Sequence, residues 1–474
     1  MSAMMTMLQA LAWLSGAQWS GNGDGDVQVL RVHTDTRTVE PGDLFVALKG
    51  ERFDANDFLA EAQQRGAVAA ICHAGATQRP AGLPCLEVPD TKVALAELAT
   101  AWRARFDLPL IAVTGSNGKT TVTQMIASIL AAAYGEKHAL ATRGNFNNDI
   151  GVPLTLLRLR SEHHIGVVEL GMNHPGEIAG LSAMAQPTVA LVNNAQREHL
   201  EFMHTVQAVA AENGSVITSL PPQGVAVFPS DDPHTDVWRG LAGSRRTVGF
   251  SMDAQASDAQ LGCAQAQWSD GAWQVQARGR GVELRYRLSI AGRHNVKNSL
   301  AAAACALAAG VAADAVERGL AAFLPVKGRS RALSLNVDGR VCTLVDDTYN
   351  ANPDSVHAAI DVLADLPGPR LLVLGDMGEV GSDGPQLHAE AGRYAQARGI
   401  EHVLVIGALT QYTSDNCVLA LHFETMDALH IAVNALLPTV NSILVKGSRF
   451  MRMERVVDAL QAHNLAVKEL AHAV

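Results

Sequence analysis

Residues 111 to 121 read Ile111-Ala-Val-Thr-Gly-Ser-Asn-Gly-Lys-Thr-Thr121, an apolar run that meets glycines and then opens a helix-forming stretch from Thr120 to Ala133. Backbone N–H groups at such a helix start point at anions, and the helix dipole favours negative charge there. Gly115, Ser116, Asn117 and Gly118 can wrap a phosphate closely, Lys119 can reach β and γ oxygens, and the Thr120 hydroxyl, with Thr121 beside it, suits a magnesium ion. The chemistry implied is that of a nucleoside triphosphate held with Mg2+. In the widespread phosphate loop the first glycine falls where this chain has Val113, so the shorter G-x-x-G-K-T spacing argues against ordinary GTPases and transport ATPases. Glu169 ends a second apolar run, Val167-Val-Glu-Leu-Gly171. A carboxylate at the carboxyl end of a parallel strand beside a phosphate loop can hold magnesium; the same carboxylate could instead cap the next helix.

These groups need a frame. Runs rich in Val, Ile and Leu recur at Pro109–Thr114, Ile165–Leu170, Thr188–Asn193, Gly224–Phe228, Leu371–Gly375, His402–Ile406 and Ser442–Lys446, with helical stretches between them. Near-continuous apolar strands alternating with helices indicate parallel sheets covered on both faces. Trp273–Ala277 and Val282–Leu288 alternate in period two and read as antiparallel additions. Before them, one strand is read at Asp43–Lys49, after the turn Glu40-Pro41-Gly42, followed by mixed helix and strand from Asp57 to Val88. The expected class is α/β with three domains: a small N-terminal α/β domain (1–105), a central P-loop mononucleotide-binding parallel sheet with helices on both faces (106–325), and a C-terminal Rossmann-like α/β domain (326–474).

At 474 residues the chain is long enough for about three cores, and 48% hydrophobic with 18% charged residues is a globular mixture. Net charge is −10 and the pI ≈ 5.9. No broad basic surface is therefore available for a nucleic acid or an anionic membrane, and phosphate binding must be local. The longest uncharged apolar run, Leu300–Ala313, is shorter than the roughly 20 residues of a membrane helix and reads as a buried alanine-rich helix. The first thirty residues hold no Lys or Arg, so the positive flank of a secretory signal is missing. Six scattered cysteines, without a CxxC pair, fit a reducing cytoplasm and no structural zinc.

Further motifs are spread over all three regions: Thr34-Asp-Thr-Arg37 with Pro41–Gly50, Thr142-Arg-Gly-Asn-Phe-Asn-Asn-Asp-Ile-Gly-Val-Pro153, Asn193-Asn-Ala-Gln-Arg-Glu-His-Leu-Glu201, Gly292-Arg-His-Asn-Val-Lys-Asn298, Gly328-Arg329 and Asp346-Asp-Thr-Tyr-Asn-Ala-Asn-Pro353. Together with the short phosphate loop, they resemble the Mur ligase family, which joins an amino acid or dipeptide to a UDP-muramoyl carboxylate using ATP. The resemblance covers nearly the whole chain. It implies that Thr34, Asp35, Thr36 and Arg37 hold the uridine diphosphate, and that Asn145 and Asn148 meet the muramoyl peptide. Thr120, Glu169 and His199 become magnesium ligands, Asn295 a contact to the nucleotide base, Arg329 a partner of the γ phosphate and Asp347 a partner of the ribose. Lys119, Glu169, His199 and Arg329 form the implied catalytic set. The run Tyr349-Asn-Ala-Asn-Pro353, with Leu374–Glu379 and Val445–Arg449, favours the member that adds D-alanyl-D-alanine to a UDP-N-acetylmuramoyl-tripeptide, with Tyr349, Asn350 and Asn352 among its substrate contacts; the Asn-Pro-Arg loop of the diaminopimelate-adding relative is absent.

One departure stands out. Family members commonly carry a carbamylated lysine soon after the His-x-Glu motif, whereas this chain reads Ala210-Ala-Glu-Asn-Gly214 there and holds no lysine from His138 to Val296. Glu212, Glu201 or water is the expected substitute. The implied reaction passes through an acyl phosphate that must be kept from water, so domains closing about Gly328 are expected, with a monomer as the working unit. A folylpolyglutamate synthetase would share the short loop but not residues 34–50, and a non-catalytic P-loop binding module would need neither Glu169, His199 nor the amides of Asn350 to Asn352.

Overall fold

The computed structural model describes residues 3–462 except 21–24, 51–52, 77, 257, 270, 280 and 338. Three large sheets organise it, each inside its own α/β domain, and a two-stranded antiparallel ladder pairs Met5–Thr6 with Gln28–Val29. The central sheet has nine strands, ordered in space Val282–Leu288, Ala272–Gly279, Leu261–Ser269, Arg246–Ser251, Val225–Pro229, Val189–Val192, Leu110–Thr114, Ile165–Glu169 and Ala139–Ala141. The last seven in that order run parallel, and the first two join by antiparallel ladders. Leu110–Thr114 shows why its sequence lacks alternation. Leu110 and Ala112 face one core cluster, Ile111 and Val113 the other, and all are fully buried. A strand covered on both faces has no polar side to show.

The helix Lys119–Tyr134 follows directly, ending at Gly135, and presents Val122, Met125, Ile126, Ile129 and Leu130 to that second cluster. These residues recur at three- and four-residue steps, and each fully buried aliphatic one stabilises by roughly 1.5–3 kcal/mol. Because Leu110–Thr114 comes first in sequence but lies between Ile165–Glu169 and Val189–Val192, the strand order reverses beside it. Chains diverge to either side at such a point and leave a crevice at the carboxyl ends.

The C-terminal sheet repeats the plan with six strands, ordered Arg331–Val337, Arg340–Asp347, Ser442–Lys446, Arg370–Gly375, His402–Ile406 and Ala420–Phe423, all parallel except the first. In the N-terminal domain the order is Gln18–Ser20, Cys85–Val88, Ala69–His73, Asp43–Val46 and Arg31–His33. Here the sequence reading is corrected. It marked one strand before Asp57, but Gln18–Ser20 and Arg31–His33 are strands as well, too short to show a period. The alanine-rich run is also two helices rather than one: Arg293–Ala308 stops, Gly310 takes φ 89°, and Ala313–Ala322 restarts.

Candidate active site

Carboxyl ends of the central and C-terminal sheets face each other across a cleft of ≈ 910 Å³. On the central side lie Ser116 to Thr121, Glu169 and His199; on the C-terminal side lie Arg329, Asp347, Tyr349, Asn350 and Asn352; Asn148 and Asn295 complete the wall. The structure brings these motifs, which the sequence expects to act together, into one cleft. Gly115 stands just behind the wall, its N–H donating to Asn213 Oδ1 at 3.1 Å. Asn145 and Arg37 are exposed and Thr34, Asp35 and Thr36 half-buried, and all five lie outside the cleft lining. Asp35 caps the turn Thr36–Thr38 and pairs with Arg37 at 2.6 Å, and that hydrogen bond pulls its carboxyl down to about 2.

The phosphate loop is held open by its neighbours. Gly118 has φ 82°, and Asn193 Nδ2 donates to Asn117 O at 2.8 Å and to Asn298 Oδ1 at 3.0 Å. Asn298 in turn donates to Asn295 Oδ1 at 2.9 Å, and Asn295 Nδ2 to Ala291 O at 2.7 Å. Asn295 is thus the end of a buried amide chain as well as a cleft residue. Lys119 Nζ donates to Gly115 O, Ser116 O and Glu198 Oε1, the last at 2.7 Å. These three bonds hold the lysine head group against the loop.

Thr120 Oγ1 donates to Glu169 Oε1 at 3.0 Å, and Asn147 Nδ2 donates to the same oxygen at 2.7 Å. Glu169 Oε2 and Glu198 Oε2 are buried with no hydrogen-bond partner. Two orphaned carboxylate oxygens beside a phosphate loop fit a divalent cation, since burying such oxygens without a partner is costly. Among the described residues no three His, Cys, Asp or Glu side chains converge into a shell of their own. His199 sits 3.5 Å from Glu198 through Nε2 and 2.6 Å from Glu379 through Nδ1. Burial disfavours its imidazolium, but the two carboxylates outweigh burial and raise its pKa to about 9.

On the facing wall, Arg329 stacks its guanidinium 4.0 Å from the Tyr349 ring centroid. Asp347 accepts from Lys446 Nζ at 2.7 Å and from Ser330 N at 2.9 Å. Burial pushes its carboxyl up, yet Lys446 prevails and holds it below the ordinary carboxylate range. Asn350 O also accepts from Lys446 at 2.9 Å. Asn352 has two tasks visible without substrate: its Oδ1 caps the helix Pro353–Ala364 at Ser355 N, 2.9 Å, and its Nδ2 donates to Asn117 Oδ1 at 2.9 Å across the cleft. Asn148 Oδ1 accepts from Gly151 N at 2.9 Å, where the helix Gly151–Leu156 begins.

The expected substitutes for the missing lysine are placed otherwise. Glu212 spends both oxygens on Gly176 N and Ile178 N, each 2.9 Å, capping the helix Glu177–Ala185, and Glu201 is exposed. The carboxylate buried beside Glu169 at the phosphate corner is Glu198. Sequence reasoning passed over Glu198, Glu379, Lys446, Asn147, Asn193 and Asn298. Lys446 and Glu379 ended strands or loops inside quoted motifs, and the strand-end position of Lys446 was the available signal. Nothing local marks Glu198.

Comparison with known proteins gives three matches to family models: Mur ligase family, catalytic domain, over residues 29–103; Mur ligase middle domain over 113–306; and Mur ligase, glutamate ligase domain, over 331–467. The chain is 41% identical, over 92% of its length and 94% of the relative, to the UDP-N-acetylmuramoyl-tripeptide–D-alanyl-D-alanine ligase of Escherichia coli. Its structure is similar to a MurF crystal structure from Acinetobacter baumannii, with TM-score 0.86, 34% identity and coverage of 96% and 98% of the two chains. It is also similar to MurF ligase from Thermotoga maritima in complex with ADP, with TM-score 0.79, 26% identity and coverage of 91% and 97%.

Proposed function

The chain belongs to the Mur ligase family, and from that premise we infer that it is the ATP-dependent ligase that adds D-alanyl-D-alanine to a UDP-N-acetylmuramoyl-tripeptide, yielding the pentapeptide precursor of peptidoglycan, ADP and phosphate. The observation that carries this reading is the single cleft in which the phosphate loop Ser116–Thr121 faces Arg329, Asp347 and the Tyr349–Asn352 run.

A carboxylate is a poor acyl donor. Transfer of the γ-phosphoryl of ATP to the terminal tripeptide carboxylate gives an acyl phosphate, from which the dipeptide amine then displaces phosphate. Both reactants of the first step are anions. Lys119 and Arg329, from opposite walls, neutralise the oxygens whose repulsion would block the approach, and such preorganised charge is commonly the largest catalytic contribution. Thr120, Glu169 and His199 would hold magnesium, which would supply further positive charge for the same oxygens. On this reading Asn295 lies toward the base, Asp347 toward the ribose, Asn148 toward the muramoyl peptide and Tyr349, Asn350 and Asn352 toward the dipeptide. Asp35 and Arg37, with Thr34 and Thr36, take the uridine diphosphate, the guanidinium being shared between Asp35 and the anion. The attacking amine titrates near pH 8, so little basicity is required of the protein.

No described helix is long and apolar enough to cross a membrane. Six free, buried cysteines support a reducing cytoplasm, and a monomer is the working unit of this proposal. The test is phosphate release from ATP and Mg2+ with UDP-muramoyl-tripeptide, with and without D-alanyl-D-alanine, followed by the product mass. Release that needs the dipeptide, with a product heavier by one dipeptide less water, is expected. Release driven instead by a single amino acid would leave the family and overturn the assignment within it.

A further inference from the structure

The steps above use His199 and leave Glu379 without a task. Glu379 lies on the loop that leaves the C-terminal strand Arg370–Gly375, and its side chain reaches across the cleft to the central domain. Oε2 stands 2.6 Å from His199 Nδ1. Both residues hold left-handed backbone, with φ 57° at Glu379 and 51° at His199. A non-glycine residue in such a conformation is strained and persists only where the surroundings enforce it. The enforcement is visible. Met377 N–H donates to the buried His388 Nε2 at 2.9 Å and Gly378 N–H to Ser448 Oγ at 2.7 Å, tying the loop to its own domain. A Cβ on Gly381 would lie 3.6 Å from Glu201 Cα, so the loop also rests on the segment that carries His199. The other ring nitrogen, Nε2, faces Glu198 Oε1 at 3.5 Å, in the corner where Lys119 is parked and where Glu198 Oε2 lacks a partner.

We propose that Glu379 is a positioning residue for His199: from the C-terminal domain it accepts the Nδ1 proton, turns Nε2 toward the phosphate corner as a metal ligand, and so completes the central-domain magnesium site only while the two domains are docked. The inference rests on the ligase reading for the presence of magnesium. A ligating ring nitrogen must carry a lone pair, and the hydrogen bond made by the other nitrogen decides which one does. Glu379 is placed to make that bond. Its approach is out of line with the ring N–H, and catalytic contacts of this kind tighten in the complex with substrates. Metal binding and domain docking thereby share one side-chain contact, so each favours the other.

The experiment uses the whole protein with ADP, replaces Mg2+ by Mn2+, and reads free Mn2+ by electron paramagnetic resonance for the parent, Glu379→Ala, Glu379→Gln, His199→Ala and the Glu379→Ala/His199→Ala pair. Outer partners of metal-bound histidines typically change affinity by about 10–100-fold. Glu379→Ala is expected to weaken Mn2+ at least about 10-fold, Glu379→Gln, which still accepts the N–H, to restore most of it, and the pair to bind no worse than His199→Ala. In the protein loaded with Mg2+ and ADP, the imidazole 15N signals that vanish in His199→Ala should report a protonated Nδ1, and in Glu379→Ala a mixture of tautomers. Unchanged Mn2+ affinity in Glu379→Ala, or losses that simply add in the pair, overturns the proposal. Neither readout needs turnover, so a protein that couples Glu379 to the metal yet forms no amide bond would sink the ligase reading alone.

Discussion

A Cβ on Gly118 would come within 2.7 Å of Asn298 Oδ1 and 2.8 Å of Asn193 Nδ2, at a φ of +82° that L side chains resist. The glycine is required twice, by backbone conformation and by the amide chain packed under the loop. Gly118→Ala should therefore destabilise by about 1–3 kcal/mol and weaken ADP binding by at least about 10-fold. Thermal unfolding and calorimetric titration check the two halves. Asp347 and Lys446 give a pH prediction. The folded-state pKa of Asp347 is depressed, so the stability it contributes is present above the unfolded value of about 4 and is lost as pH falls through the folded one. Asp347→Asn should accordingly lose less stability than the parent between pH 5 and pH 3. At pH 7 it should be less stable by about 3 kcal/mol, because Lys446 keeps a buried charge without its partner. Melting curves at the three pH values, with Lys446→Met as the companion that removes the stranded charge, decide it.

At the scale of elements, one side chain does much to hold the central and C-terminal domains together. Arg197, in the loop between the strand Val189–Val192 and His199, donates to Asp354 Oδ1 at 2.8 Å and to Glu390 Oε2 at 3.0 Å, while its own backbone N–H donates to Asp354 Oδ2 at 2.7 Å. Asp354 sits in the first turn of the helix Pro353–Ala364, where negative charge is favoured. These bonds are charge-assisted and partly buried, each worth on the order of 1.5–3 kcal/mol when removed. Arg197→Ala should raise KM for ATP and for the dipeptide several-fold with a smaller effect on thermal stability, since it loosens the docking of two domains without touching either core. Equal KM values for the parent and the variant would remove Arg197 from this role. The elements themselves were largely legible beforehand. Strands such as His402–Ile406, Ser442–Lys446 and Val282–Leu288 appear with the limits read from sequence, because a strand buried on both faces, or strictly alternating on one, writes its environment into residue type. Gln18–Ser20 and Arg31–His33 were not legible, since three residues carry no period. The site divides the same way. Glycines and strand-end carboxylates have local signatures, so the loop and Glu169 could be read, but Glu198 and Glu379 acquire meaning only from partners in other segments or another domain, and no single-chain pattern encodes that.

For the molecule as a whole, the central and C-terminal domains meet across a water-accessible cleft chiefly through polar groups: Arg197 with Asp354 and Glu390, Asn117 with Asn352, and His199 with Glu379. Apolar contact between them is slight, with Ala291 and Trp268 of the central domain packed against the C-terminal core. Interfaces of this composition permit relative motion, and a reactive acyl phosphate needs water excluded only while it exists. The link between the domains passes through Gly328, whose φ is +79° and whose Cβ position would lie 3.2 Å from Tyr349 N. Gly328 N–H also donates to Asp346 Oδ2 at 2.9 Å, so the turn is braced on the strand that delivers Asp347 to the cleft. A domain that swings must change backbone angles somewhere along this link, and a glycine between a brace and a cleft residue is where the change is least costly. We expect solution scattering to show a more extended particle for Arg197→Ala than for the parent without ligand, and the two to converge when ATP analogue, Mg2+ and UDP-muramoyl-tripeptide are added. If Gly328 is the hinge, Gly328→Ala should hinder that convergence and lower kcat more than it weakens binding of the nucleotide alone. Identical scattering from all three proteins with and without ligands would mean that the docked arrangement is rigid, and that water is kept from the acyl phosphate by the cleft walls themselves.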